Sequence, residues 1–138
     1  MAKTTLVDRD LEAGATLVRA LDKDGWIPSA ALWFYLPEED LWRLIIALPD
    51  DPVPRQQDAY RRIAEVLGSN RLSDVLSIDD IGLVRPDDQM LSLLRSAIST
   101  GPDISGIRFT HNTINNVLIE DTYVYRLLGR PRQVKTTA

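Results

Sequence analysis

The stretch 106-GIRFTHNTINNVLIEDTYVYRL-127 decides the fold. Two runs rich in β-branched and aromatic residues, Gly106–Ile114 and Val117–Leu127, flank Asn115-Asn116. Asparagine tolerates the positive φ that a two-residue hairpin turn demands, so the pattern predicts a long twisted hairpin. With Ile114 opposite Val117, Phe109 falls opposite Thr122, Ile107 opposite Val124, Arg108 opposite Tyr123 and His111 opposite Glu120.

Upstream lies a second hairpin. Ser29–Leu36 and Leu41–Leu48 are apolar runs joined by the polar turn Pro37-Glu38-Glu39-Asp40 and bounded by Pro28 and Pro49. If Leu36 opposes Leu41, one face pairs Tyr35 with Trp42, Trp33 with Leu44 and Ala31 with Ile46. The other pairs Phe34 with Arg43 and Leu32 with Ile45. A strand pair apolar on both faces belongs in the middle of a sheet covered on both sides, and Arg43 marks where one cover ends.

Helical spacing fills the remainder. Thr5-Leu6-Val7-Asp8 fits a helix-start signal, followed by the stripe Val7, Leu11, Ala15, Val18 and Leu21 and a stop at Gly25. A loop is expected over Asp50–Arg55, then a helix over 56–67 burying Ala59, Tyr60, Ile63, Val66 and Leu67, and a short strand over Ile78–Val84. Pro86-Asp87-Asp88 opens a third helix with Met90, Leu94, Ala97 and Ile98 inside, ended by Gly101-Pro102. The reading is a single α+β domain over residues 1–128, in the order α-ββ-α-β-α-ββ. Its five-stranded sheet is mainly antiparallel, or mixed, with three main helices. Residues 129–138 read as a basic, flexible C-terminal tail.

Composition agrees with one globular domain: 138 residues, 44% apolar and 26% charged. The absence of cysteine excludes disulfides, thiolate zinc sites and iron–sulfur clusters. No apolar run approaches the ~20 residues a membrane helix needs, and no signal-peptide core follows the first residues, so a soluble, cytoplasmic protein is expected. Of 16 cations, four fall in residues 126–138 with no acid among them; residues 1–125 hold the other twelve against all 20 acids, a net of −8. So acidic a body repels a phosphate backbone.

His111 is the only histidine. Beside Glu120 it could serve as a general base, but a reaction also needs a nucleophile or a polarising group, and only Thr110, Asn112 and Thr122 stand near. The plainer use is a hydrogen bond across the strands. The acidic pairs Asp50-Asp51, Asp79-Asp80, Asp87-Asp88 and Glu120-Asp121 suit caps and turns better than a metal site, since adjacent strand residues face opposite ways. Phosphate-loop, dinucleotide and nucleophile-elbow motifs are missing. No cofactor and no metal are implied.

Three uses follow. The leading one is a non-catalytic protein-interaction or self-associating module, a homodimer for example. Trp33, Tyr35, Trp42 and Leu44 would form its interface, because three helices on one face of the sheet would leave the other face open. The alternative is a small-ligand-binding protein or enzyme using the 106–127 hairpin, with Arg108, His111, Glu120 and Tyr123 lining a pocket. A second alternative is nucleic-acid association through helix 56–67 and the tail. There Arg55, Arg61, Arg62 and Arg71 surround Tyr60, although Asp58–Arg62 and Arg61–Glu65 read as helix-surface ion pairs.

Overall fold

Antiparallel pairing of β1 (Ala30–Leu36) with β2 (Leu41–Ala47) sets Leu36 opposite Leu41, Tyr35 opposite Trp42 and Trp33 opposite Leu44 in the computed structural model, which describes residues 3–49 and 56–129. The hairpin of β4 (Ile107–Ile114) and β5 (Val117–Leu127) forms in the expected register, and both turn residues, Asn115 and Asn116, take positive φ. Asp50–Arg55 and residues 130–138 of the basic tail lie outside the described residues.

One five-stranded sheet results, in the order β3-β2-β1-β5-β4. It is mixed, because β3 (Ile81–Val84) runs parallel to β2 while the other neighbours are antiparallel. A parallel neighbour requires a long crossover. The helix α2 (Gln56–Ser69) lies within it. The expected strand over Ile78–Val84 loses its first three residues to a 3₁₀ turn. There the buried Asp80 carboxylate accepts from the Ser77 backbone N–H at 2.9 Å. The Asp79-Asp80 pair is therefore a turn device, by a geometry other than alternation on a strand.

The first helix, α1 (Asp8–Lys23), begins two residues later than its sequence signal. Val7 occupies the cap position, and its N–H donates to Asp10 Oδ2 at 3.0 Å. Lys3 anchors that carboxylate at 2.9 Å, so Asp10 rather than Asp8 closes the turn and is held there by a cation. The inner stripe rotates accordingly: Ala13, Gly14, Leu17, Val18 and Leu21 are buried and Val7 is exposed. The third helix, α3 (Gln89–Arg95), is capped by the Asp88 carboxylate, which accepts from the Met90 and Leu91 N–H groups. It stops before Ala97, which is exposed, and buries Leu91 and Leu94.

Alternation along β1 now separates two cores. Ala31 and Trp33 join Trp42, Leu44 and Ile46 beneath α1 and α2. Ala30 and Leu32 join Ala47, Val124 and Leu127 beneath Leu91 and Leu94 of α3. The helices thus lie on both faces, two against one, and the second cover that residues 30–48 require comes from this chain. The expectation of three helices on one face is corrected. Among the described residues the large apolar side chains left exposed are Val7, Ile27, Val117 and Leu118.

Candidate functional site

The β4–β5 hairpin carries all four residues of the pocket expected from sequence, and the register brings Arg108 beside Tyr123. Arg108 binds Asp121 with two parallel bonds, Nε to Oδ1 at 2.6 Å and Nη2 to Oδ2 at 2.7 Å. That bonding raises the Arg108 pKa above its ordinary value, although partial desolvation opposes it. The guanidinium also lies over the Trp42 ring, 5.5 Å from its centroid, so its charge is neutralised and its face stacked within the chain. Tyr123 packs T-shaped with Tyr125 at 5.4 Å between centroids, and its hydroxyl crowds the space a side chain at Gly106 would need.

His111 stands apart from that group. Its side chain is 78% exposed and touches Glu120 at 3.5 Å between Nδ1 and Oε1. The proximity expected from register is present, on open surface rather than in a cavity. What His111 does locally is bend the strand. Its φ is +48°, and the ladder passes from Thr110–Asp121 to Asn112–Ile119 without including the His111–Glu120 pair. Histidine is among the residues enriched in this left-handed region. The bend reverses the alternation: Ile107 and Phe109 pack on the α3-side core before it, and Ile114 and Ile119 join the same core after it. Strict alternation would send these two pairs to opposite faces.

The four residues read as an interface are placed differently. Trp33 and Leu44 are fully buried beneath α1 and α2, and Trp42 nearly so. Tyr35 is half-buried, tilted against Trp42 at 5.4 Å, and its hydroxyl donates to Asp40 Oδ1 at 2.6 Å, which raises its pKa. Trp33, Trp42 and Leu44 are thus core residues, and Tyr35 packs against them half-buried.

The arginines of α2 are engaged as well, with partners exchanged relative to expectation. Arg61 pairs with Asp58, while Arg62 holds both Glu65 and, across to the end of α1, Asp24 at 2.6 Å. Arg62 and Asp24 line a shallow groove of about 200 Å³ with Lys23, Ser69 and Asn70. Arg126, counted from sequence with the basic end of the chain, is 3% exposed and points into the fold. Among the described residues no three His, Asp or Glu side chains converge as a metal site would require.

Sequence reasoning missed the contrast between the two sheet edges. At β3, side chains of the same chain take the main-chain groups: Arg43 Nη2 donates to Ile81 O at 3.0 Å, Leu83 N donates to Tyr60 Oη at 3.1 Å, and Gln56 Nε2 donates to Leu83 O at 3.4 Å. At β4, the one side-chain bond to the main chain among the described residues is local, from Asn112 Nδ2 to Thr110 O at 2.8 Å. Tyr60 beside the β3 strand was the available signal, but its apolar spacing hid the use of its hydroxyl.

The class defined by these features is a three-layer α+β domain: two helices, a five-stranded mixed sheet, and one helix whose core takes in Ile114 and Ile119 of the last hairpin. No protein-family model, curated protein or solved structure matches the chain.

Proposed function

We propose that the chain is a non-catalytic protein-interaction module whose working surface is the edge of β4 and the adjoining hairpin tip. The observation that carries this reading is the asymmetry of the sheet. One edge is four residues long with its main chain engaged by Arg43, Tyr60 and Gln56; the other is eight residues long and, among the described residues, carries no comparable cover. An exposed strand edge is a row of donors and acceptors that an extended segment can complete. Natural sheets guard such edges with lysine, proline, other charges or bulges; β4 has no lysine or proline, its one arginine is held by Asp121, and its one irregularity is at His111. Val117 and Leu118, 41% and 57% exposed, add apolar surface at its end. Thr110, Asn112 and Thr113, exposed along β4, present hydroxyl and amide groups.

Selection of displayed random peptides against the purified chain tests the reading. The expected winners are extended, β-branched segments that bind the wild type and lose at least about tenfold in affinity for Thr110→Lys/Thr113→Lys, where lysine charges line the strand. Winners that bind both proteins equally would contradict it.

A further inference from the structure

We infer, building on the edge reading above, that the occupant of the β4 edge is β4 of a second copy of this chain, paired antiparallel about a two-fold axis at His111. A two-fold contact sets each residue against its own chain's counterparts, so a strand can pair with itself only where like charges do not meet. Residues 110–118 contain no Asp, Glu, Lys or Arg, in a chain whose net charge is −4. The charged residue on β4 is Arg108, and Asp121 of the same chain cancels it through two bonds. Two acidic bodies approach each other at least cost through such a neutral surface, which also lacks the charges that would select a basic or acidic foreign segment.

The kink at His111 fits this geometry. With the axis there, the segment 108–110 of one copy lies opposite 112–114 of the other, and the two bends coincide at the centre. Each tip, with Val117 and Leu118, then lies near the partly buried Ile107 and Phe109 of the opposite copy, joining apolar surface to apolar surface. Growth stops at two, because the edge left at each end of the joined ten-stranded sheet is β3, where Arg43, Tyr60 and Gln56 engage the main chain. One open edge and one covered edge define a closed pair rather than a fibre.

Sedimentation velocity of charge-swapped variants tests the pairing. Thr110 and Thr113 are exposed, so Thr110→Lys/Thr113→Lys and Thr110→Glu/Thr113→Glu should both fold, as circular dichroism would verify. The wild type is expected to dimerise in the micromolar range, each variant alone to dimerise at least about a hundredfold more weakly, and their equimolar mixture to recover the dimer. Variants that dimerise like the wild type would overturn the pairing by placing the contact elsewhere. A wild type monomeric throughout the micromolar range would also overturn it. In that case a selected peptide that still binds β4 shows that only the occupant was wrong, whereas failure of the peptide selection removes the edge reading itself.

Discussion

Tyr125→Ala is expected to cost the domain about 4 kcal/mol, a large share of the roughly 5–15 kcal/mol by which such domains are stable. Tyr125 is fully buried between α1 and the sheet. Its hydroxyl donates to the Leu11 carbonyl at 2.6 Å and accepts from Trp33 Nε1 at 2.9 Å. Gly14 makes this possible, since a Cβ there would lie 2.8 Å from Tyr125 Cζ. Alanine would leave a cavity under α1 and strand the Trp33 indole N–H without its acceptor. Tyr125→Phe keeps the ring and loses the two bonds, so about 1–3 kcal/mol is expected. Urea unfolding followed by tryptophan fluorescence measures both.

The same residue sets an alkaline limit. Burial pushes the Tyr125 pKa well above its ordinary value of 10.0. Above pH 10 the unfolded chain releases this proton while the folded chain keeps it, so Tyr125 makes stability fall as pH rises from there. Tyr125→Phe should flatten that fall.

Arg126→Ala is the second large effect, about 3 kcal/mol of destabilisation. Arg126 grips Asp22 of α1 through Nη1 at 2.9 Å and Nη2 at 2.8 Å, and Nη1 also reaches the Pro28 carbonyl at 3.2 Å. Its side chain is 3% exposed and that of Asp22 is 29% exposed, so truncating the arginine strands a partly desolvated carboxylate and opens a gap beneath α1. Asp22→Ala should cost as much or more, because it leaves the more deeply buried charge unpaired. The double variant should cost less than the sum of the two, and thermal unfolding of the full cycle measures that difference.

These two residues also mark what the sequence hides. Both hairpin registers were legible, because Asn115-Asn116 and the four-residue turn at 37–40 fix them and a one-residue slip would expose Trp33 or Leu32. The fate of Tyr125 and Arg126 was not. The register between β1 and β5 shifts at Ala31/Leu32, and this irregularity lets two successive residues of β5 serve the α1 side. No alternation pattern contains such a shift.

The candidate site was readable to the same depth. The proximity of Arg108 to Tyr123 and of His111 to Glu120 follows from register alone, but burial and partners do not. Arg108 is spent on Asp121 and Trp42, and His111 bends the strand. The apolar run at 30–48 correctly demanded two covers, yet its sequence could not say that α3 supplies the second one. Hence Trp33, Trp42 and Leu44, expected at an interface, lie in the core with Tyr35 half-buried against them, and the edge proposed as the working surface lies two strands away from β1. Edge exposure depends on which side chains from elsewhere reach a strand, as Tyr60 and Gln56 do at β3, and that is a tertiary fact.

Residue-resolved amide hydrogen exchange over a range of protein concentrations tests the central claim most directly. The account predicts that the β4 amides between Ile107 and Ile114 that point away from β5 exchange quickly in dilute solution and slow as concentration rises, while those of Ile81–Val84 in β3 do not change. Protection of β4 that is the same at every concentration, or a rise confined to β3, would contradict it.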